Sequence, residues 1–244
     1  MWGVRVQLRQ SAGDALMLCA ASGVTEAYNG AAGCCFFFDV AVQSSRPLTR
    51  GWILDRLSRA GPIADDPQFQ RYIHSPGARI VPAAVLVPLI NRPQGVTVLL
   101  TRRAGHLHDH AGQISFPGGR VDDADVDRVA TALREAAEEI GIMPGAVEII
   151  GALPEWDIPT GFRVTPVVGW IEPPLELSLD SFEVAEVFEV PLAFFLDAAN
   201  YERHSDEING RKRNYYATPY EGRNIWGATA GMLHTLYRML HSEG

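Results

Sequence analysis

The sequence predicts an α/β fold of the α+β kind, one mixed β-sheet held between helices. Three observations predict it. Apolar, β-branched runs of strand length recur between residues 79 and 190. Helical periodicity is confined to a few segments, one of them strong. The two kinds of segment do not alternate in the regular manner of a wholly parallel sheet, and no internal repeat or low-complexity tract is visible.

In chain order, residues 1–45 stand apart. They are rich in Ala, Gly and Ser, and their apolar patch Cys34 to Phe38 is too short to make a core. They are expected to be a disordered or loosely attached extension, with a targeting segment as the alternative. The regular domain is expected over 46–244. Trp52, Ile53, Leu57 and Ala60 give the stretch Gly51 to Ala60 the pattern of a short amphipathic helix. Arg79 to Ile90 reads as a buried strand, with Pro82 and Pro88 marking an edge or bends. Val96 to Leu100 is a second strand, and Ala104 to Gly112 a loop. A short strand follows at Gln113 to Phe116, then a turn at Pro117-Gly118-Gly119. Val126 to Ile140 is a helix that Gly141 and Pro144 stop. Val147 to Leu153, Val164 to Ile171 and Val184 to Val190 are strands. Pro191 to Ala198 is a short helix, and Trp226 to Leu240 a terminal one.

Composition narrows the function. A 244-residue chain that is 47% hydrophobic can bury a proper core. Its formal charge of -8 is wrong for a nucleic-acid binder, which needs clustered Lys and Arg. It does not exclude an anionic small molecule if a metal ion supplies local positive charge. No apolar run approaches the roughly 20 residues of a membrane span. Cys19, Cys34 and Cys35 lack the spacing of a disulfide framework or a zinc site, so a cytoplasmic setting is expected, with organelle targeting by residues 1–45 as the alternative.

The helix after Asp125 carries the chemistry. Val129, Ala132, Leu133, Ala136, Ala137 and Ile140 form one apolar stripe. Glu135, Glu138 and Glu139 share another sector at spacings of three and four. Like charges at that spacing cost roughly 0.2–0.5 kcal/mol per pair. They also stand in the last turns, where the helix dipole disfavours anions. A solvated acidic face is the ordinary use of such a run. A hard divalent cation, Mg²⁺ or Mn²⁺, would remove the conflict, because it prefers carboxylate and water oxygens.

Arg134-Glu135-Ala136-Ala137-Glu138-Glu139-Ile140-Gly141-Ile142 matches the core of the Nudix box. Such a match arises by chance in roughly one chain of this size in ten thousand at average residue usage. Upstream, Gly119 is followed after five residues by Asp125 where the box has glutamate, and the interval to Arg134 is one residue longer than usual. That lengthened box resembles the coenzyme A pyrophosphatase branch of Nudix hydrolases. So do Leu99 to Arg103, His110 to Gly119, Thr160 to Gly169 and Ile225 to Ala230. The resemblance covers about residues 50–242. It departs at His108, where the branch usually has arginine.

The resemblance implies an α/β/α sandwich in which the box forms a loop–helix–loop. It implies metal-dependent cleavage of a pyrophosphate bond in a nucleoside-diphosphate derivative. The expected substrate is coenzyme A or acyl-CoA, cleaved to 3′,5′-ADP and 4′-phosphopantetheine. ADP-ribose, a dinucleotide or a modified nucleotide is the alternative, and a non-catalytic ligand-binding module the second. Glu135, Glu138 and Glu139 are the expected metal and catalytic residues. Arg134 is expected to brace them through charge-assisted hydrogen bonds. Arg103, His110, Gly118 and Gly119 are the expected substrate contacts, the glycines letting backbone approach the phosphates. Glu183 is either a distal acid or a plain surface glutamate. His106, His108 and His110 would share one side of an extended strand, as a polar loop beside the site rather than a zinc set. Trp156 and Phe162 are open to base stacking or core packing. Glu139→Gln is expected to spare folding, on the premise that Glu139 faces away from the core. No nucleic-acid or membrane partner is expected; a homodimer is admitted.

Overall fold

The computed structural model describes residues 17–21, 24–28, 36–38, 48–60, 77–107, 110–208 and 211–242. The chain divides into two units, Met1–Ser45 and Arg46–Gly244. Within the first, β1 (Met17–Ala21), β2 (Val24–Tyr28) and β3 (Phe36–Phe38) form a three-stranded antiparallel sheet. The other residues expected to form an extension lie outside the described residues.

The second unit is built on an eight-stranded mixed sheet. Its central strand is β4 (Val81–Arg92), which pairs antiparallel with β5 (Gly95–Arg103) and parallel with β10 (Phe162–Ile171). Outside these lie β11 (Val184–Pro191) on β5 and β8 (Val147–Ala152) on β10. Three short strands complete the sheet: β6 (Ile114–Ser115) on β5, β7 (Gly118–Arg120) on β4 and β9 (Trp156–Ile158) on β10.

The two prolines of β4 therefore sit in a central strand, not an edge. On one side β4 pairs with β7 at residues 83–85 and with β5 at residues 89–92, and Pro88 falls in the gap between those partners. A residue there has no ladder bond to donate, so the missing N–H costs nothing.

Helices cover both faces. On one, α1 (Arg50–Arg59), the short α3 (Leu192–Phe195) and α4 (Ala228–His241) pack on Val87, Leu89, Val98 and Leu100. On the other, α2 (Arg128–Ile140) sets Ala132, Ala136 and Ile140 against Leu86, Ile90, Leu99 and Val167. This is the expected α/β/α sandwich. α1 begins at Thr49, whose hydroxyl accepts from Trp52 N, and buries Ile53 and Leu57.

The remaining strands, β12 (Glu202–Ile208), β13 (Arg211–Tyr220) and β14 (Arg223–Trp226), form an antiparallel sheet that the sequence reading did not anticipate. Trp226, read as the first residue of the terminal helix, closes β14 instead. Gly227, at φ 68°, then turns the chain into α4.

Candidate active site

The frame of the site is the start of α2. The helix begins two residues later than its periodicity suggests. Asp127 is the N-cap, its carboxylate accepting from Ala130 N at 2.8 Å, and Val126 is left 90% exposed. Just upstream, Asp125 accepts from Thr131 Oγ1 at 2.8 Å and from Asp122 N at 2.9 Å. It also takes both prongs of Arg134, Nε at 3.0 Å and Nη2 at 3.0 Å. The guanidinium fork holds the Asp125 carboxyl well below the usual carboxylate range, and Asp125 raises the Arg134 guanidinium in turn.

Arg134 then spends its remaining donors on the site. Nη1 reaches Glu135 Oε1 at 3.0 Å and Glu138 Oε2 at 3.1 Å, while Nη2 also donates to the Arg120 carbonyl. These are the bonds through which Arg134 would brace the glutamates. Its anchor, Asp125, was not among the expected site residues. The available signal was its position in the lengthened box, nine residues before Arg134.

The three glutamates occupy different environments. Glu138 keeps 60% of its side chain exposed. Glu135 is half-buried, and burial raises its pKa against the opposing pull of Arg134. Glu139 is only 5% exposed, so the expectation that it faces away from the core is corrected. This carboxylate meets β7, where its Oε2 accepts from Gly118 N at 3.2 Å. Burial pushes Glu139 up to about 8, offset in part by that N–H; the charges of Glu135 and Glu183 raise it and that of Arg103 lowers it.

Gly118 and Gly119 form strand β7 rather than a turn, and the two crowd different neighbours. A Cβ on Gly118 would collide with Ala84 O and the Val85 backbone across the ladder. A Cβ on Gly119 would lie 2.5 Å from the Glu135 carboxyl. Smallness here lets β4, the glycine strand and the glutamates crowd together.

Glu183 and Arg103 come from the β11–β5 side of the sheet. Residues 178–184 wrap the end of α2 through Ser178 N to Ile140 O and Asp180 N to Glu139 O, at 3.0 and 2.9 Å. This wrap brings the Glu183 charge to bear on both Glu135 and Glu139. Arg103, at the end of β5, sits opposite Val184, and its Nε is buried without a hydrogen-bond partner. A buried guanidinium nitrogen left unpaired is costly, and an anionic oxygen would satisfy it.

Other expected residues lie differently. His110 is exposed at φ 57°, with Nδ1 2.9 Å from Gln113 Oε1. Residues 104–107 form a turn, so His106 does not lie on an extended strand, and His108 is outside the described residues. Trp156 is buried in the core, where its ring fills the space a Cβ on Gly231 would need. Phe162 is partly buried, with the Arg120 guanidinium 5.1 Å over its ring.

Among the described residues, no three Asp, Glu, His or Cys side chains converge as a ready-made metal cage. The donor chemistry nevertheless suits a hard divalent ion. Glu135 and Glu139 carry raised pKa values, and part of each rise comes from neighbouring carboxylates, a repulsion that a cation relieves.

Residues 81–204 match the NUDIX domain family. The chain is 49% identical over 154 residues to a protein named uncharacterized Nudix hydrolase NudL of Escherichia coli O7:K1, covering 63% of this chain and 80% of that protein. Similar solved structures include MutT protein from Methanosarcina mazei, with 25% identity, TM-score 0.39 and coverage of 50% of this chain and 84% of that one. A Caenorhabditis elegans Ap4A hydrolase binary complex shares 21% identity at TM-score 0.40, covering 46% and 80%.

Proposed function

This chain belongs to the Nudix family, and on that premise we propose that it is a coenzyme A diphosphatase. The broader activity is that of a Nudix hydrolase acting on a phosphorus anhydride in a nucleoside-diphosphate derivative, with a divalent cation as cofactor. The finer reading takes coenzyme A or acyl-CoA as substrate and Mg²⁺ or Mn²⁺ as the ion.

One observation carries it. The segments that resemble the coenzyme A branch are far apart in sequence and meet in the fold. Gly118–Arg120 lines one side of β4 and Phe162–Ile171 the other, Arg120 stacks on Phe162, and Thr229 Oγ1 donates to Ile114 O at 2.9 Å. Segments that share a substrate have a reason to converge.

Glu135, Glu138 and Glu139 would hold the cation. When bound, it neutralises pyrophosphate charge and acidifies water. Arg103 binds a phosphate oxygen through its guanidinium group. Arg134 fixes the azimuth of Glu135 and Glu138, and Gly118 N–H fixes that of Glu139. Glu183 takes the proton from the attacking water at its carboxylate. Water adds to phosphorus, the bridging P–O bond breaks, and 3′,5′-ADP and 4′-phosphopantetheine leave.

The test is a substrate panel. Coenzyme A, acetyl-CoA, ADP-ribose and a diadenosine polyphosphate are each incubated with the protein and Mg²⁺ or Mn²⁺, and products are separated by chromatography. Release of 3′,5′-ADP from coenzyme A at the highest kcat/KM of the panel is expected. A preference for ADP-ribose or the dinucleotide overturns the substrate. Ligand-induced thermal stabilisation without any product overturns the enzyme reading in favour of a binding module.

A further inference from the structure

We propose that Phe182 and His106 form the seat for the planar base of the nucleotide, at the outer lip of the site. This rests on the pyrophosphatase reading above and extends it to base recognition.

Phe182 is 65% exposed, although it is a large apolar ring in a well-tied segment. Its N–H donates to Asp180 Oδ1 at 2.9 Å, Val184 N donates to Asp180 O at 2.8 Å, and Asp180 N is itself fastened to the Glu139 carbonyl. The ring is thus presented from a backbone anchored to the end of α2. The exposed side of the ring faces solvent.

His106 reaches the same place from the loop after β5, the strand beside β11. Ala104 N donates to Glu183 O at 2.8 Å, which pulls the loop after β5 against the turn that carries Phe182. The two rings meet at 4.9 Å between centroids and 61° between planes. That edge contact steadies the pair and leaves an aromatic face open.

The location selects the occupant. Phe182 immediately precedes Glu183, whose charge is felt at Glu135 and Glu139, and His106 lies three residues after Arg103. A diphosphate between Arg103 and the glutamates therefore has the aromatic pair beside it. Stacking on a side-chain ring tolerates any base and strengthens with base area, so a purine is favoured over a pyrimidine.

Full-length wild type, Phe182→Ala, Phe182→Tyr and Phe182→Trp are compared, with folding checked by circular dichroism. On whichever diphosphate of the panel turns over fastest, Phe182→Ala should raise KM about tenfold at unchanged kcat, and Phe182→Tyr should restore it. Inhibition by 3′,5′-ADP should weaken by about the same factor, while inhibition by inorganic pyrophosphate stays as in wild type. Unchanged KM and unchanged nucleotide inhibition overturn the proposal, as does equal loss of pyrophosphate inhibition. If no diphosphate is cleaved, the hydrolase reading fails and the base seat is still tested. Phe182→Trp fluorescence, less the wild-type signal, should be quenched by 3′,5′-ADP and not by ribose 5-phosphate. Equal response to both, or to neither, overturns it.

Discussion

Asp125 and Glu139 are both poorly exposed carboxylates on the α2 unit, and they sit in opposite electrostatic circumstances. Asp125 has a forked guanidinium, a hydroxyl and a backbone N–H on it, and its acidity is increased. Glu139 has one N–H, two acidic neighbours and burial, and its acidity falls until it titrates at about 8. The first is a saturated structural anion whose work is to hold Arg134. The second is a carboxyl whose ionisation its surroundings resist, a resistance that a bound cation would relieve. Burial alone does not tell them apart; partners do.

The largest expected effect tests the second of these. Glu139→Gln should lower kcat/KM by roughly 10²–10⁴-fold, the usual cost of removing a group that acts on charge or a proton in the transition state. It should also stabilise the fold at alkaline pH, because Gln can still accept from Gly118 N without a buried charge. The sign follows from linkage. The folded pKa of Glu139 is raised, so its favourable contribution is full below the unfolded value near 4.3 and is lost as pH rises to about 8. Denaturant melts of the protein without added metal should therefore show stability falling across pH 5–8, and the slope should flatten in the variant. A variant that melts lower than wild type at pH 8 would mean that its surroundings do not resist the ionisation of Glu139.

Arg134→Ala attacks the saturated member. It frees Asp125, Glu135 and Glu138 together, with an expected cost of about 1–3 kcal/mol from unpaired polar groups, read as a lower denaturation midpoint. Arg134→Lys should recover only part of this, since an ammonium cannot reproduce the two-pronged contact with Asp125. The pH dependence of this loss runs the other way. The Asp125 contribution is present above its unfolded pKa and fades as pH falls through the lower folded one, so wild type and variant should converge in acid.

Glu138→Gln should have the smallest effect on stability. Its side chain is mostly exposed and makes one bond to Arg134, so a change under about 0.5 kcal/mol is expected. Turnover should nevertheless fall if Glu138 shares the cation with Glu135 and Glu139. Unchanged turnover at all Mg²⁺ concentrations would remove Glu138 from that set.

Much of this was determined by the sequence itself. The Ala132, Ala136 and Ile140 stripe fixed which side of α2 packs on the sheet, because a 3.6-residue period admits one buried face. Alternating and branched runs located β4, β5, β8, β10 and β11. Spacing along one helix placed Arg134 within reach of Glu138, since neighbours four residues apart share a surface.

Tertiary structure decided the rest. Helical geometry alone cannot say how far a flank residue turns inward, so only the approach of the glycine strand β7 to α2 buries Glu139 and changes its titration. The Pro117-Gly118-Gly119 stretch has turn chemistry locally, and it is a strand because β4 offers unpaired backbone beside it. The β12–β14 sheet escaped the sequence reading because its strands are polar and carry little of the apolar alternation that marks a half-buried one. Glu183, Arg103, Phe182 and His106 become neighbours through the pairing of β5 with β11. Contacts between strands more than 70 residues apart depend on which edges meet, and no local period encodes that.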